Sequence, residues 1–388
     1  MTPGARIQAA IELLDEIFDG TPAEKAITGW ARRSRFAGSK DRAAIRDYVY
    51  QALRCRRSYG CLGGAHTGRG VMVGALRAAG DDVDEYFSGE GHAPKPLTCQ
   101  ERAAGGTPTE PGDQMDLPDW VIPRFINSLG DEVQARKTAS ALQERASVML
   151  RANLRKASVA DAVAALAADG VMAQPAAIAQ TALQVTQGSR RVALSRAYQD
   201  GLVELQDGAS QAAMEMLELP GSARVLDYCA GGGGKVLALA ARLEAAWFAH
   251  DALPRRMKDL PARAIRAGVN VALLDDADPR QPFDMVLCDV PCSGSGTWRR
   301  TPDAKWRLTA DDLQALTRTQ DGILDRAAEL VAPGGRLVYA TCSVLRDENE
   351  ARIEAFLSRS SGWRMVSQQR WPVAETGDGF FLAQLQRA

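Results

Sequence analysis

From Gly221 to the carboxyl end, short apolar runs alternate with helical patterns, and that alternation leaves few folds open. Strands are predicted at about 224–228, 246–250, 269–274, 283–289 and 336–341. Helices are predicted at about 235–242, 254–267 and 349–357, with a longer one opening at Thr309. Thr309 and Asp312 read as a capping pair, Leu316, Ile323, Ala327 and Val331 as the apolar face, and Pro333-Gly334-Gly335 as the stop. Repetition at this spacing makes a parallel sheet with helices on both faces. Such sheets bind ligands beyond the carboxyl ends of their strands, so the residues just after each strand carry the information.

The first of these ends is Asp227-Tyr228-Cys229-Ala230-Gly231-Gly232-Gly233-Gly234-Lys235. Glycines let a backbone approach a ligand and adopt positive φ. A Walker A loop ending at Lys235 needs glycine at Cys229 and Ser or Thr at Val236, and has neither. The dinucleotide pattern needs glycine at Val236 or Leu237 and also fails. An acid followed by a glycine turn remains, which suits a ligand without a pyrophosphate, such as S-adenosylmethionine. Asp251 ends the second strand, where a ribose-binding acid is expected. Asp276 follows the third, with Asp275 and Asp278 nearby, where an acid can accept from an adenine amine. The competing reading of each acid is a helix N-cap.

Two cysteines mark the next ends: Cys292 in Asp289-Val290-Pro291-Cys292 after the fourth strand, and Cys342 in Thr341-Cys342-Ser343 after the fifth. Neighbouring strands lie ~5 Å apart, so both thiols would face one crevice. Most cysteines are inert core residues, the reading adopted for Cys55, Cys61, Cys229 and Cys288. Cys292 and Cys342 instead stand among Pro, Ser, Thr and Gly, and Arg299, Arg300 and Lys305 are expected to favour thiolate. Carbon 5 of cytosine is a poor nucleophile. A thiolate adding to carbon 6 turns the ring into an enamine that can attack a methyl sulfonium; a base then removes the carbon 5 proton and the thiolate leaves. A second thiol would assist release, and Asp289 would hold the amino edge of the base. A base inside folded nucleic acid must first be flipped out, and Trp298 or Trp306 is a candidate stacking platform, packing being the competing role.

Composition sets the limits. At 388 residues the chain predicts two or three domains. No stretch approaches the roughly 18 unbroken apolar residues of a membrane span. The amino terminus carries a helical stripe, Ile7, Ile11, Leu14 and Phe18, rather than a signal sequence, so a cytoplasmic location is expected. Seven irregularly spaced cysteines do not form a disulfide framework. With no CxxC pair and only His66, His92 and His250, no metal is expected. A net charge of −1 does not advertise nucleic-acid binding, but arginines cluster at Arg32, Arg33 and Arg35, at Arg54, Arg56 and Arg57, and at Arg255 and Arg256. The expected organisation is a helical domain over 1–85, in which Thr21-Pro22-Ala23-Glu24 reads as a capping box, a Gly/Pro-rich linker over 86–116, a small α+β domain over 117–212, and the catalytic domain over 213–388.

Asp289 through Thr297, continuing to Arg300, Pro302-Asp303 and Lys305-Trp306, together with Tyr339 through Ser343, Glu348-Asn349-Glu350 and Gly379-Phe380-Phe381, resembles the Sun/Nop (Fmu-type) family of RNA cytosine-5 methyltransferases. Residues 1–85 resemble the NusB-like helical RNA-binding domain of some members. Arg151-Ala152-Asn153 resembles the segment ahead of the catalytic domain, where an RRM-like domain is expected, and Gln206-Asp207 with Ser210 fits the lead-in. The resemblance implies a Rossmann-like S-adenosylmethionine-dependent α/β domain, with Cys342 as nucleophile and Cys292 as releasing thiol, an order the residues alone leave open. It implies cofactor contacts from Cys229, Ala230, Gly231, Gly232, Gly233, Gly234 and Lys235, and from Asp251, Asp276 and Asp289. Where the family has Ala-Pro, this chain has Gly231-Gly232, which predicts a looser turn. The expected substrate is RNA, ribosomal first and transfer RNA second, and the expected state is a monomer. The competing functions are a DNA cytosine-5 methyltransferase and a non-catalytic RNA-binding scaffold.

Overall fold

The computed structural model describes residues 1–219, 222–276 and 281–388; Gly221 and Asp278 lie outside the described residues. The chain divides into two compact units, residues 1–145 with 298–308, and residues 146–297 with 309–388.

The first unit is helical. Helices Pro3–Phe18, Ser39–Arg54 and Gly68–Ala79 bury Ile7, Leu14, Ile45, Val49, Leu53, Val71 and Met72 in one core. Each such side chain contributes about 1.5–3 kcal/mol by leaving water. Helix Ala23–Arg33 starts differently from expectation. Its N-cap is Pro22, without a capping side chain, and the Ala23 N–H donates to Asp303 at 3.2 Å. The stretch expected as a linker carries two short helices, Cys99–Ala103 and Pro111–Met115, and is pinned by side chains. Arg77 donates to the Ala104 carbonyl at 2.6 Å, and Arg57 to Asp113 at 2.6 Å.

Segment 298–308 is part of this unit. Arg54 donates to the Arg299 carbonyl at 2.7 Å, buried Lys305 donates to the Arg54 carbonyl at 2.8 Å, and the Trp306 indole donates to the Leu53 carbonyl at 2.7 Å. Lys305 therefore serves the helical packing, and burial lowers its pKa to about 8. Trp298 is buried and Trp306 packs against the helical core, so both play the packing role weighed against stacking.

The second unit holds two sheets. The small one comprises β1 (Val148–Ala152), β2 (Met172–Pro175), β3 (Ala182–Gln187) and β4 (Val203–Leu205), antiparallel in the order β2-β3-β1-β4. Helix Val159–Ala168 contributes Ala162 and Leu166 to its core. The large sheet comprises β5 (Arg224–Asp227), β6 (Ala246–Ala249), β7 (Val271–Leu273), β8 (Phe283–Asp289), β9 (Val331–Thr341), β10 (Trp363–Trp371) and β11 (Phe380–Arg387), in the order β10-β11-β9-β8-β5-β6-β7. The strands from β5 to β9 are parallel, as expected, but β10 and β11 add an antiparallel hairpin on one edge. β11 is a nearly unbroken buried run, a pattern whose periodicity does not separate strand from helix.

Alternation along the central strands fills both faces. On β9, Val338 and Ala340 join one core while Leu337 and Tyr339 join the other; on β8, Met285 and Leu287 oppose Val286 and Cys288. The chain leaves β5 toward β6 and β7, then returns to lay β8 on the other side of β5. The carboxyl ends of β5 and β8 thus form the switch point where open α/β sheets hold ligands.

Candidate active site

β5 ends in Asp227, and the chain turns through the glycines into helix Gly234–Ala240. Gly233 has φ +80°, and a Cβ there would lie 2.2 Å from Leu260 Cδ1, so glycine is required by conformation and by space. The turn lacks proline but is braced by side chains. Arg263 donates to the Gly232 carbonyl, and Arg151 of β1 donates to the Gly234 carbonyl at 3.1 Å. The Gly231 N–H donates to Asp251 at 2.9 Å. Arg151 is almost fully buried, which lowers its pKa to about 10.

A cavity of about 320 Å³ opens against this turn, at the small end of ligand sites. Cys229, Ala230, Gly231, Gly232, Gly234, Lys235 and Asp289 line it, as does Cys342. Gly233 and Asp251 build the turn behind that lining. Asp251 is nearly fully buried and accepts from Leu253 N–H at 2.9 Å as well as from Gly231, an Asx turn rather than the helix cap weighed for it, because the helix that follows, Pro254–Met257, has Leu253 at its N-cap and no capping side chain. The structure does not bring Asp276 to the cavity; its side chain is 82% exposed and stands 3.8 Å from Arg326.

Inside the cavity Lys235 pairs with Asp289 and sits 5.2 Å from the Phe380 ring centroid. Burial works against the ammonium, but Asp289, with Asp227 behind it, more than offsets this and raises its pKa. Asp227 is fully buried. One carboxyl oxygen accepts from Val236 N–H at 3.2 Å, and the other has no partner among the described residues. Burial raises its pKa to about 7. When the group is ionised, that lone oxygen is an acceptor only and suits a ligand carrying an ammonium. Phe380 and Asp378 also line the cavity and were not anticipated as site residues. The Gly379-Phe380-Phe381 motif was the available signal, but with β11 unrecognised it had no place in the sheet.

The thiols come from adjacent strands. β8 and β9 pair Asp289 with Ala340, and the ladder continues past the strand end through Val290 N–H to the Ala340 carbonyl at 3.1 Å. Gly296 N–H donates to the Cys342 carbonyl at 2.9 Å, and Gly296 packs so tightly on Gly379 that a Cβ would lie 2.2 Å from its carbonyl oxygen. The result places Cys292 Sγ 3.4 Å from Cys342 Sγ, with both residues half-buried and neither in a disulfide. The expected lowering of the Cys292 pKa is not found. Its hydrogen bond to Cys342, burial and Glu348 together raise it. Cys229 and Cys288 are also raised by burial, in keeping with inert thiols. His250 stacks on Tyr228, with ring centroids 4.7 Å apart, and bonds the Tyr228 carbonyl through Nδ1. Among the described residues no cluster suits a metal ion, and no helix is long and apolar enough to cross a membrane.

Known proteins resemble this chain along its whole length. Residues 214–386 match the profile described as 16S rRNA methyltransferase RsmB/F, and residues 117–192 match the RsmF/B-like ferredoxin-like domain. The chain is 30% identical over 428 aligned positions to the ribosomal RNA small subunit methyltransferase B of Xanthomonas campestris pv. campestris, spanning 98% of this chain and 96% of that protein. It is 34% identical over 288 positions to the protein of the same name from Xylella fastidiosa, spanning 69% and 66%. Among solved structures, PH0851 superposes with a TM-score of 0.75 at 24% identity, covering 100% of this chain and 99% of that one. NSun6 from Pyrococcus horikoshii, solved with SFG, superposes with a TM-score of 0.61 at 18% identity, covering 70% and 98%. At those identities the two structures speak for the fold alone. With a curated relative aligned from end to end and the sheet, turn and paired thiols in place, the chain belongs to the 16S rRNA methyltransferase RsmB/F family.

Proposed function

We propose that this protein methylates carbon 5 of a cytosine in 16S rRNA, drawing the methyl group from S-adenosylmethionine and holding the base through a covalent bond to Cys342. The observation that carries the reading is that Cys342 lines the same cavity as Asp227, Lys235 and Asp289 while standing 3.4 Å from a second thiol. S-adenosylmethionine supplies an electrophilic methyl on a sulfonium. Asp227, with its unpartnered oxygen, suits the amino group of that donor, and Lys235 suits its carboxylate or the Asp289 carboxyl beside it. NSun6 solved with SFG offers a fold precedent for a small ligand.

With the proton held on Cys292, Cys342 is the thiol placed to attack. Its sulfur bonds carbon 6, and the carbon 5–carbon 6 π pair moves to carbon 5, which takes the methyl group as the methyl–sulfonium bond breaks and its electron pair stays on the sulfur of the departing S-adenosylhomocysteine. Once Cys342 sulfur is a thioether, it no longer holds the Cys292 proton as it did, so the leading cause of the raised Cys292 pKa weakens. Cys292 then gives its proton to solvent water and, as the thiolate, accepts the carbon 5 proton. The freed C–H pair restores the double bond and expels Cys342. Asp289 is one-third exposed at the cavity and is the acceptor for the cytosine amino group. In the helical unit, exposed Arg33 and Phe36 suit contact with RNA backbone and bases.

The test is transfer of labelled methyl to 16S rRNA isolated from cells lacking this protein, followed by bisulfite sequencing. A single newly protected cytosine is expected. Label confined to transfer RNA, or to another base, would overturn the assignment.

A further inference from the structure

Glu348 is fully buried, and neither the glycine turn nor the cysteines accounts for it. One of its carboxyl oxygens accepts from Ser293 N–H at 2.7 Å and from the Gln320 amide at 3.1 Å. The other accepts from the Ser293 hydroxyl at 2.5 Å and from the Ser343 hydroxyl at 2.5 Å. Ser293 directly follows Cys292, and Ser343 directly follows Cys342. One carboxyl group therefore holds the residue next to each thiol.

The neighbours of Glu348 fix it in turn. Its carbonyl accepts from Tyr339 OH at 2.6 Å, and Gln320 also donates to the Pro291 carbonyl at 2.9 Å, one residue before Cys292. Asn349 receives the Thr341 hydroxyl at 2.5 Å and donates to the Ser343 carbonyl at 2.9 Å, bracketing Cys342. Ser295 closes the set by bonding Ser343 Oγ at 2.8 Å. Both oxygens are thus occupied: one takes the two N–H donors, which need an acceptor, and the other takes the two serine hydroxyls, which can donate or accept. A buried carboxyl group brings electrostatic cost to nearby thiols and is poor evidence of a stability role. Its placement between the two cysteine loops is better evidence of a geometric one.

We propose that Glu348 is a positioning residue that sets the spacing of the Cys292 and Cys342 sulfurs by clamping Ser293 and Ser343 together. The inference rests on the reading of these cysteines as attacking and releasing thiols, and the experiment separates the two. Two substitutions pull its properties apart: Glu348→Asp keeps the charge and withdraws the carboxyl by one methylene, whereas Glu348→Gln keeps the reach and removes the charge. In the free full-length protein, the rate at which diamide oxidises the two thiols to a Cys292–Cys342 disulfide, with diamide reduced to its hydrazine, reads their spacing without any substrate. Peptide mass mapping identifies the bridge.

Glu348→Asp is expected to slow bridging by about tenfold and kcat by about a hundredfold, with the KM for S-adenosylmethionine unchanged within about twofold. Glu348→Gln is expected to stay within about fivefold of wild type in both, since the serine hydroxyls can rotate to accept from its amide. The opposite order, or wild-type bridging and turnover in both variants, overturns the proposal. Slower bridging in Glu348→Asp alongside methyl transfer that survives Cys342→Ala would uphold the positioning role and sink the catalytic reading instead.

Discussion

The two halves of the site are built in opposite ways. The glycine turn after β5 is held from outside, by side chains of other elements bonding its backbone: Arg263 to Gly232, Arg151 to Gly234, and Asp251 to Gly231. It leaves a buried oxygen of Asp227 without a partner among the described residues. The thiol rim after β8 and β9 is held from inside, by short side chains and one carboxyl group that takes four hydrogen bonds. An unsatisfied buried acceptor costs about 1–3 kcal/mol in the free protein and is recovered when a donor arrives. The turn is thus suited to a ligand that enters and leaves each cycle. The rim is suited to two sulfurs whose separation must not drift.

Substitutions at the rim should be felt in chemistry and those at the turn in binding. The largest effect is expected from Cys342→Ala, a loss of methyl transfer of roughly a thousandfold or more with cofactor affinity retained, read by labelled transfer beside calorimetric titration. Affinity lost together with rate would break the division. Cys292→Ala is expected to cut turnover by about ten- to a hundredfold while a protein–RNA adduct accumulates as a slow-migrating band. No such band under denaturing conditions would remove the release role.

At the turn, Asp227→Asn is expected to weaken S-adenosylmethionine by about ten- to a hundredfold, since a charge-assisted hydrogen bond is lost. The same carboxyl group gives a pH signature. Its pKa of about 7 in the folded protein lies above the unfolded value, so protonation favours the fold. That contribution is full below about pH 4 and is lost as pH rises to 7, on the order of 4 kcal/mol in the free protein. Denaturant midpoints should therefore fall less between pH 5.5 and pH 8 in Asp227→Asn than in wild type. Cofactor affinity in the wild type should weaken as pH drops below 7, because the ligand's ammonium needs the ionised acid. A flat affinity from pH 5.5 to 8 would contradict this. The smallest effect is expected from Asp276→Ala, within about twofold in affinity and rate, because that side chain is exposed and absent from the cavity wall.

The same contrast explains what the sequence discloses. The turn is local: acid, glycines and lysine lie within nine positions, so spacing alone excludes the nucleotide loops and points to the ligand class. The parallel strands are legible too, from β-branched and apolar runs between helical patterns. The rim is not local. Ser293, Ser343 and Glu348 converge only because β8 and β9 are neighbours, and nothing in their spacing says so. Lys305 reads as a cation for the thiols but is claimed by the Arg54 carbonyl of the helical unit. Thr21 reads as a cap, yet Asp303, far along the chain, takes the Ala23 N–H. β11, which brings Phe380 to the cavity, is hidden because a strand buried along nearly its whole length loses its alternation.

The central claim is that Cys342 bonds the target pyrimidine while Cys292 waits beside it. The most direct measurement uses 16S rRNA containing 5-fluorocytidine, whose carbon 5 bears no proton to remove, so the covalent complex cannot resolve. After incubation with S-adenosylmethionine and digestion, mass spectrometry should find the methylated fluoropyrimidine on the peptide carrying Cys342, and no adduct in Cys342→Ala. An adduct on Cys292, or none on either thiol while unmodified rRNA is still methylated, would contradict the account.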